Sequence, residues 1–141
     1  MEELVLISGG QTGADRAALD VALGRGLSSG GYCPQGRKAE DGRIPSRYPL
    51  NELASQHYDE RTLKNVLTSD ATVIFFAREA SGGTALTLQY AQEHHRPYLQ
   101  IDISRESTDE AAARLAGFYR ANKIKRLNVA GPRASQCPEV Y

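Results

Sequence analysis

Leu4-Val5-Leu6-Ile7 is a continuous apolar run that stops at Ser8-Gly9-Gly10. A short run that is apolar on both sides predicts a strand covered from both faces. The period changes at Ala14. Ala14, Ala17, Ala18, Val21 and Ala22 fall at helical spacing and predict an amphipathic helix. Thr12-x-x-Asp15 reads as its capping box, and Gly24 or Gly26 as its end. Residues 30–33 suit a short second strand and residues 59–67 a helix, with Leu63, Val66 and Leu67 on one side. Residues 71–77 (ATVIFFA) are the strongest strand of the chain, followed by Ser81-Gly82-Gly83 and a helix over 84–94. Residues 97–103 form a further strand. Ser107-x-x-Glu110 is a second capping box, opening a helix through Ala111, Leu115, Phe118 and Tyr119. A short strand over 127–130 and a tail over 131–141 complete the chain.

Buried strands alternating with amphipathic helices predict an α/β fold. The expected architecture is one domain over residues 1–141, a doubly wound parallel sheet of about five strands with helices on both faces. The expected strand order is 2-1-3-4-5, which makes the first strand and the 71–77 strand neighbours.

Composition narrows the function. The chain has 141 residues, 17 basic and 17 acidic side chains, 40% apolar and 24% charged residues. That is a globular composition. Zero net charge excludes nonspecific binding of nucleic acid or of an anionic membrane, which needs a basic surplus. No apolar run approaches the roughly 18 residues of a membrane span. Met1-Glu2-Glu3 is no signal-peptide start. Cys33 and Cys137 are too few for a disulfide scaffold or a cysteine zinc site. A cytoplasmic protein is the expectation. His94 and His95 lack a third metal ligand, and no Ser-His-Asp or Cys-His arrangement is present, so neither a metal site nor catalytic residues are assigned.

Glycine carries the signal. Nine of the 13 glycines lie in the first 42 residues, and Gly82 and Gly83 are adjacent. Ser8-Gly9-Gly10-Gln11-Thr12 and Ser81-Gly82-Gly83-Thr84 each follow a strand and precede a helix. Free N–H groups and the positive end of the helix dipole meet there, which suits an anion such as phosphate. Neither turn matches the phosphate loop Gly-x-x-x-x-Gly-Lys-Ser/Thr or the dinucleotide motif Gly-x-Gly-x-x-Gly. Between the turns, residues 34–50 have no regular period. They hold Arg37, Lys38, Arg43 and Arg47 against Glu40 and Asp41. Arg37, Lys38 and Arg43 are candidate anion contacts, because guanidinium and ammonium groups hold oxyanions well. Arg16 could join them. Thr87 has no cap role, so an inward hydroxyl there would mark a ligand contact, whereas Thr84 also suits an N-cap.

These segments together carry a resemblance. Residues 7–15 (ISGGQTGAD), 31–45 (GYCPQGRKAEDGRIP), Tyr48-Pro49-Leu50, Arg61-Thr62, Asn65-Val66, Ser69-Asp70, residues 82–87 (GGTALT) and residues 128–135 (NVAGPRAS) resemble the molybdenum carrier family. The resemblance implies a Rossmann-like fold, a homo-oligomer, and binding of the molybdenum cofactor. That cofactor is a pterin with a dithiolene-held metal and a terminal phosphate, to be stored or handed to apo-molybdoenzymes. The two glycine turns, the helix starts beside them and the loop cations are where such a cofactor is expected to sit: Gly9, Gly10, Gln11, Thr12, Gly13, Asp15, Arg16, Arg37, Lys38, Arg43, Ser81, Gly82, Gly83, Thr84 and Thr87. The family is also distantly similar to phosphoribohydrolases that cleave nucleoside monophosphates. Their Pro-Gly-Gly-x-Gly-Thr-x-x-Glu loop is altered here: Ala80 and Ser81 stand in the proline region, Ala85 takes a glycine position, and Leu88-Gln89 replace the acidic pair. The expectation is therefore a carrier of a small anionic ligand, with a nucleotide-cleaving enzyme or a nucleotide sensor as alternatives.

Overall fold

Residues 4–141 are described by a computed structural model; the acidic start, Met1-Glu2-Glu3, lies outside them. Strand β1 (Val5–Ile7) leads into helix α1 (Ala14–Arg25), and β2 (Ser28–Gly30) returns beside β1. Next come β3 (Tyr32–Cys33), a hairpin of β4 (Lys38–Ala39) and β5 (Gly42–Arg43), and β6 (Asn51–Glu52). Helix α2 (Tyr58–Leu67), β7 (Ala71–Phe76), α3 (Gly82–Glu93), β8 (Tyr98–Asp102), α4 (Thr108–Ala121) and β9 (Arg126–Ala130) follow, then a short 3-10 turn over Pro138–Val140.

The main sheet has five parallel strands in the order β2-β1-β9-β7-β8. The α/β class and parallel sheet agree with the sequence pattern, but the order 2-1-3-4-5 does not. The last strand stands at the centre, paired with β1 on one side and β7 on the other. Burial supplies the reason: Leu127, Asn128, Val129 and Ala130 are all buried, which an edge strand could not achieve. Counted from β9 as the first strand, the order reads 3-2-1-4-5, the opening of the doubly wound Rossmann order. The point where strand order reverses therefore lies between β9 and β7.

Leu6, Val73, Ile101, Leu127 and Val129 form one core with Ala18 and Ala22 of α1 and with Leu115, Phe118 and Tyr119 of α4. Helices α2 and α3 pack on each other, and α3 packs on β7. Thr62, Asn65 and Thr87 of those helices share a cleft with Asn128, whose side chain alternates in direction with Leu127 and Val129. Helices thus cover both faces.

A second, smaller core lies on the far side of α1, where Leu19 packs with Cys33, Ala39, Ile44 and Tyr48. It orders the 34–50 segment, a long loop without regular period in which Tyr48 and the prolines favour order, and the segment also folds a short hairpin that the sequence does not predict. The expected strand over 30–33 is split. Gly31 has φ +133, and a Cβ there would stand 2.0 Å from the Ser8 carbonyl oxygen. The chain bends at that glycine, and Tyr32–Cys33 pairs with Asn51–Glu52 instead of extending the main sheet. Asn65 secures the bend, accepting from the Tyr32 N–H (2.8 Å) and donating to its carbonyl (3.1 Å). The Ser107 capping box forms as predicted, through the Ser107 hydroxyl and the Glu110 carboxylate. The Thr12–Asp15 box does not: Gly13 caps α1 without a side-chain bond. No helix among the described residues is long and apolar enough to cross a membrane.

Candidate functional site

All five strands are parallel, so the loops after β1, β7 and β9 emerge at one end of the sheet. A cleft of about 50 Å³ opens there. The first glycine turn contributes Gly9, Gln11 and Asp15, and the second contributes Gly83, Thr84 and Thr87. Both turns therefore meet at a single cleft, although β9 separates their strands. The floor is a polar rung across neighbouring strands, in which Asn128 Nδ2 donates to Thr72 Oγ1 at 3.3 Å.

Six of the fifteen candidates, Gly9, Gln11, Asp15, Gly83, Thr84 and Thr87, line this cleft. The others have different work. Gly10 has φ +78, and a Cβ there would meet Leu50 at 2.5 Å. Gly13, at φ +82, lies against the Pro132 carbonyl. Thr12 donates its hydroxyl to Glu40 and accepts the Ala134 N–H at 3.0 Å. Arg16 holds Asp41 with both terminal nitrogens, at 2.9 and 3.1 Å. Arg37 corrects the expectation most clearly. Its buried guanidinium donates to the carbonyls of Ile44, Leu50, Pro45 and Tyr48, so it ties the loop together instead of meeting a ligand. Arg43 is exposed, its nearest polar partner being Ser46 at 3.5 Å. Ser81 and Gly82 form the exposed start of α3. Lys38 lies outside the cleft, over the ring of Tyr58.

Arg61, Thr62, Asn65, Asn128, Gly131, Pro132, Arg133 and Gln136 line the cleft as well. None was a candidate from periodicity or turn chemistry, although several stand in the segments that carry the family resemblance. Arg61 to Asn65 read as ordinary helix positions. Residues 131–136 read as a tail because β9 was not expected at the centre of the sheet. The available signal was Gly131-Pro132 directly after a strand, the same punctuation as at the other two turns.

The two helix starts differ electrically. Near α1 the amides are partnered within the chain: Gln11 N–H to the Asp15 carboxylate (3.4 Å), Thr12 N–H to Gln11 Oε1 (3.0 Å) and Ala14 N–H to the Pro132 carbonyl (3.4 Å). At α3 only Thr84 and Ala85 return their amides, both to Ser81. The Gly82 and Gly83 amides have no protein partner among the described residues. They point from the positive end of a 12-residue helix.

Gln11 adds a second donor. It is 6% exposed, and its Oε1 accepts from the Thr12 and Glu40 amides at 3.0 and 2.9 Å. Both partners are N–H donors, so the orientation of the side-chain amide is settled. Its Nε2 is left buried without a partner. A buried donor of that kind costs about 1–3 kcal/mol unless an acceptor arrives. Thr87 turns its hydroxyl back to the Gly83 carbonyl at 2.9 Å, so it shapes the wall instead of offering a free group.

Asp15 is the one buried carboxylate of the cleft. Burial pushes it up to about 6, against the lowering pull of Arg61, of the Gln11 amide and of Arg16. Arg61 Nη1 stands 3.3 Å from Asp15 Oδ2, and both side chains are about nine-tenths buried. The site therefore combines unpartnered donors with a carboxyl that accepts a proton near neutrality. It can hold an oxyanion, and it can exchange a proton when it does. No group of three or more His, Cys, Asp or Glu side chains among the described residues is arranged to hold a metal ion.

No curated protein matches the chain. A solved crystal structure, a "putative molybdenum carrier protein" from Syntrophus aciditrophicus SB, is 46% identical with a TM-score of 0.97, over 99% of this chain and 88% of that one. Residues 6–141 match the circularly permutated YpsA SLOG family. A last strand that closes the centre of the sheet, as a displaced first strand would, agrees with that match: the chain belongs to the circularly permutated YpsA SLOG family.

Proposed function

We propose that this protein binds the molybdenum cofactor, or a related anionic pterin or nucleotide, as a carrier or storage protein. The observation that carries the reading is the donor set at the cleft. Gly83 with its free amide, Gln11 with its unpartnered Nε2, and Arg61 and Arg133 all line the cleft where the sheet reverses its order, and the free Gly82 amide adjoins it at the exposed start of α3. Donors in excess select an anion, and the start of α3 is the better seat for a phosphate because the amides near α1 are already partnered. A dithiolene brings its own sulfurs to the metal, which suits a cleft without cysteine. The 46% identical neighbour described as a molybdenum carrier supports the same ligand. In this reading the protein works as a homo-oligomer in the cytoplasm and hands its cargo to apo-molybdoenzymes.

The test is anaerobic loading with the cofactor, gel filtration, and transfer to an apo-molybdoenzyme. Wild type should retain and transfer it. Gly83→Val should lose retention, since the space beside Gly83 is open and a valine would fill the cleft without disturbing the fold. No retention by wild type overturns the reading.

One observation favours a second reading, a nucleoside-monophosphate phosphoribohydrolase. Asp15, raised to about 6 in the cleft, is poised to donate or accept a proton near neutral pH. Release of base from nucleoside monophosphates, lost in Asp15→Asn, would support it; no release across a panel of nucleotides would dispose of it.

A further inference from the structure

The cleft, at about 50 Å³, takes one small group; pockets that enclose a whole cofactor run to roughly 300 Å³ or more. A ligand of that size must extend past the mouth, and at the mouth one aromatic ring collects three cations. Lys38 Nζ lies 4.9 Å from the centroid of the Tyr58 ring, Arg133 Cζ 5.4 Å and Arg61 Cζ 5.5 Å. The three come from separate parts of the chain: the β4–β5 hairpin, the loop after β9 and helix α2. Arg61 and Arg133 also line the cleft, so the cluster is continuous with it.

The carboxylates around the cluster neutralise it only in part. Arg61 shares Asp15, while Lys38 and Arg133 form no ion pair among the described residues. Glu40 feels the charge of Arg133 but is held by Ser135 and Thr12 and forms no ion pair with it. Asp59 and Glu60 are exposed and pair with none of the three. The electron-rich face of Tyr58 offsets part of the repulsion between the cations. A negative group between them would offset the rest.

We propose that Lys38, Arg61 and Arg133, gathered on Tyr58, form a second anionic subsite. The ligand then carries two anionic groups, one in the cleft at Gln11 and the start of α3, the other at the mouth. Diphosphate is the simplest such chemistry, and a phosphate joined to a metal-oxo centre has the same character. The proposal rests on the cleft being an anion site, and not on the ligand containing molybdenum.

Titration calorimetry at low salt, with inorganic orthophosphate and pyrophosphate as probes, tests it on wild type, Lys38→Met, Arg133→Met and Gln11→Leu. Thermal melts check each fold; Lys38 is exposed, so at least that variant reads binding alone. Wild type should bind pyrophosphate about tenfold more tightly than orthophosphate. Lys38→Met, outside the cleft, should remove most of that advantage and leave orthophosphate within about twofold, whereas Arg133→Met, which also lines the cleft, should weaken both probes and pyrophosphate the more. Gln11→Leu should weaken both probes. If pyrophosphate binds no better than orthophosphate, or its advantage survives the loss of Lys38 and Arg133, the second subsite is overturned and the site in the cleft stands. If neither anion binds wild type, the second subsite falls together with the anion reading of the cleft.

Discussion

Gly9→Ala separates the role of the first glycine turn in the site from its role in the fold. Gly9 has an ordinary φ, so alanine suits its backbone. The added Cβ, however, would stand 2.1 Å from Arg61 Nη1, 2.5 Å from its Cδ and 2.7 Å from its Cζ. All three atoms belong to one flexible side chain, so Arg61 swings away and the strand stays. Asp15 then loses its cation. An uncompensated buried charge costs about 3–5 kcal/mol, but this carboxyl already sits at about 6. Without Arg61 it rises further and takes up a proton, which limits the loss to about 1–2 kcal/mol at pH 7. At roughly 3 °C per kcal/mol for a chain of this size, melting should fall by about 3–6 °C. The deficit should grow at pH 8, where holding the proton costs more, and nearly vanish near pH 5, where Asp15 is protonated in both proteins. Thermal unfolding followed by circular dichroism at the three pH values reads this. Gly24→Ala is the control: no atom lies within 4 Å of the added Cβ, and it should gain about 0.5–1 kcal/mol from lower chain entropy. If Gly9→Ala melts with wild type at pH 8, the packing of Arg61 on Gly9 is refuted.

Three further outcomes follow from the same contacts. The folded pKa of Asp15, about 6 against 3.8, means the folded chain keeps a proton that the unfolded chain has released. Asp15 therefore makes stability fall as pH rises through that window, by up to about 3 kcal/mol at pH 8, and comparison of the melting profile with that of Asp15→Asn should show the slope reduced. Arg37→Met leaves four carbonyls of the 34–50 segment without their donor and should lose about 3 kcal/mol or more in denaturant unfolding. Arg43→Ala should leave both stability and cofactor retention unchanged, since Arg43 is exposed and away from the cleft; a clear loss of retention would restore the basic loop as a direct contact.

Local chemistry was legible in the chain alone. The unbroken apolar run Leu4 to Ile7 marked the strand that forms over Val5–Ile7, the 3.6-residue period marked α1, and Ser107 and Glu110 announced their own cap. The two Ser-Gly-Gly turns were also legible as a pair, because a helix start after a strand always carries amides without an intrahelical partner, although only packing decides that those of α1 find partners in the chain and those of Gly82 and Gly83 do not. Strand order was not legible. Crossover connections do not specify which neighbour a strand pairs with, and the burial that places β9 at the centre appears only once α1, α2, α3 and α4 have covered both faces. With β9 went Gly131, Pro132, Arg133 and Gln136, half a cleft wall that reads as a tail. Cation destinations were equally hidden. Arg37 and Lys38 are adjacent in the same loop, yet one is buried among carbonyls and the other stands over Tyr58. The sequence by itself determined the elements and the glycine turns, because those depend on neighbours within a few residues. Tertiary structure decided which turns, amides and charges share one cleft, because side chains far apart in the chain meet only through packing.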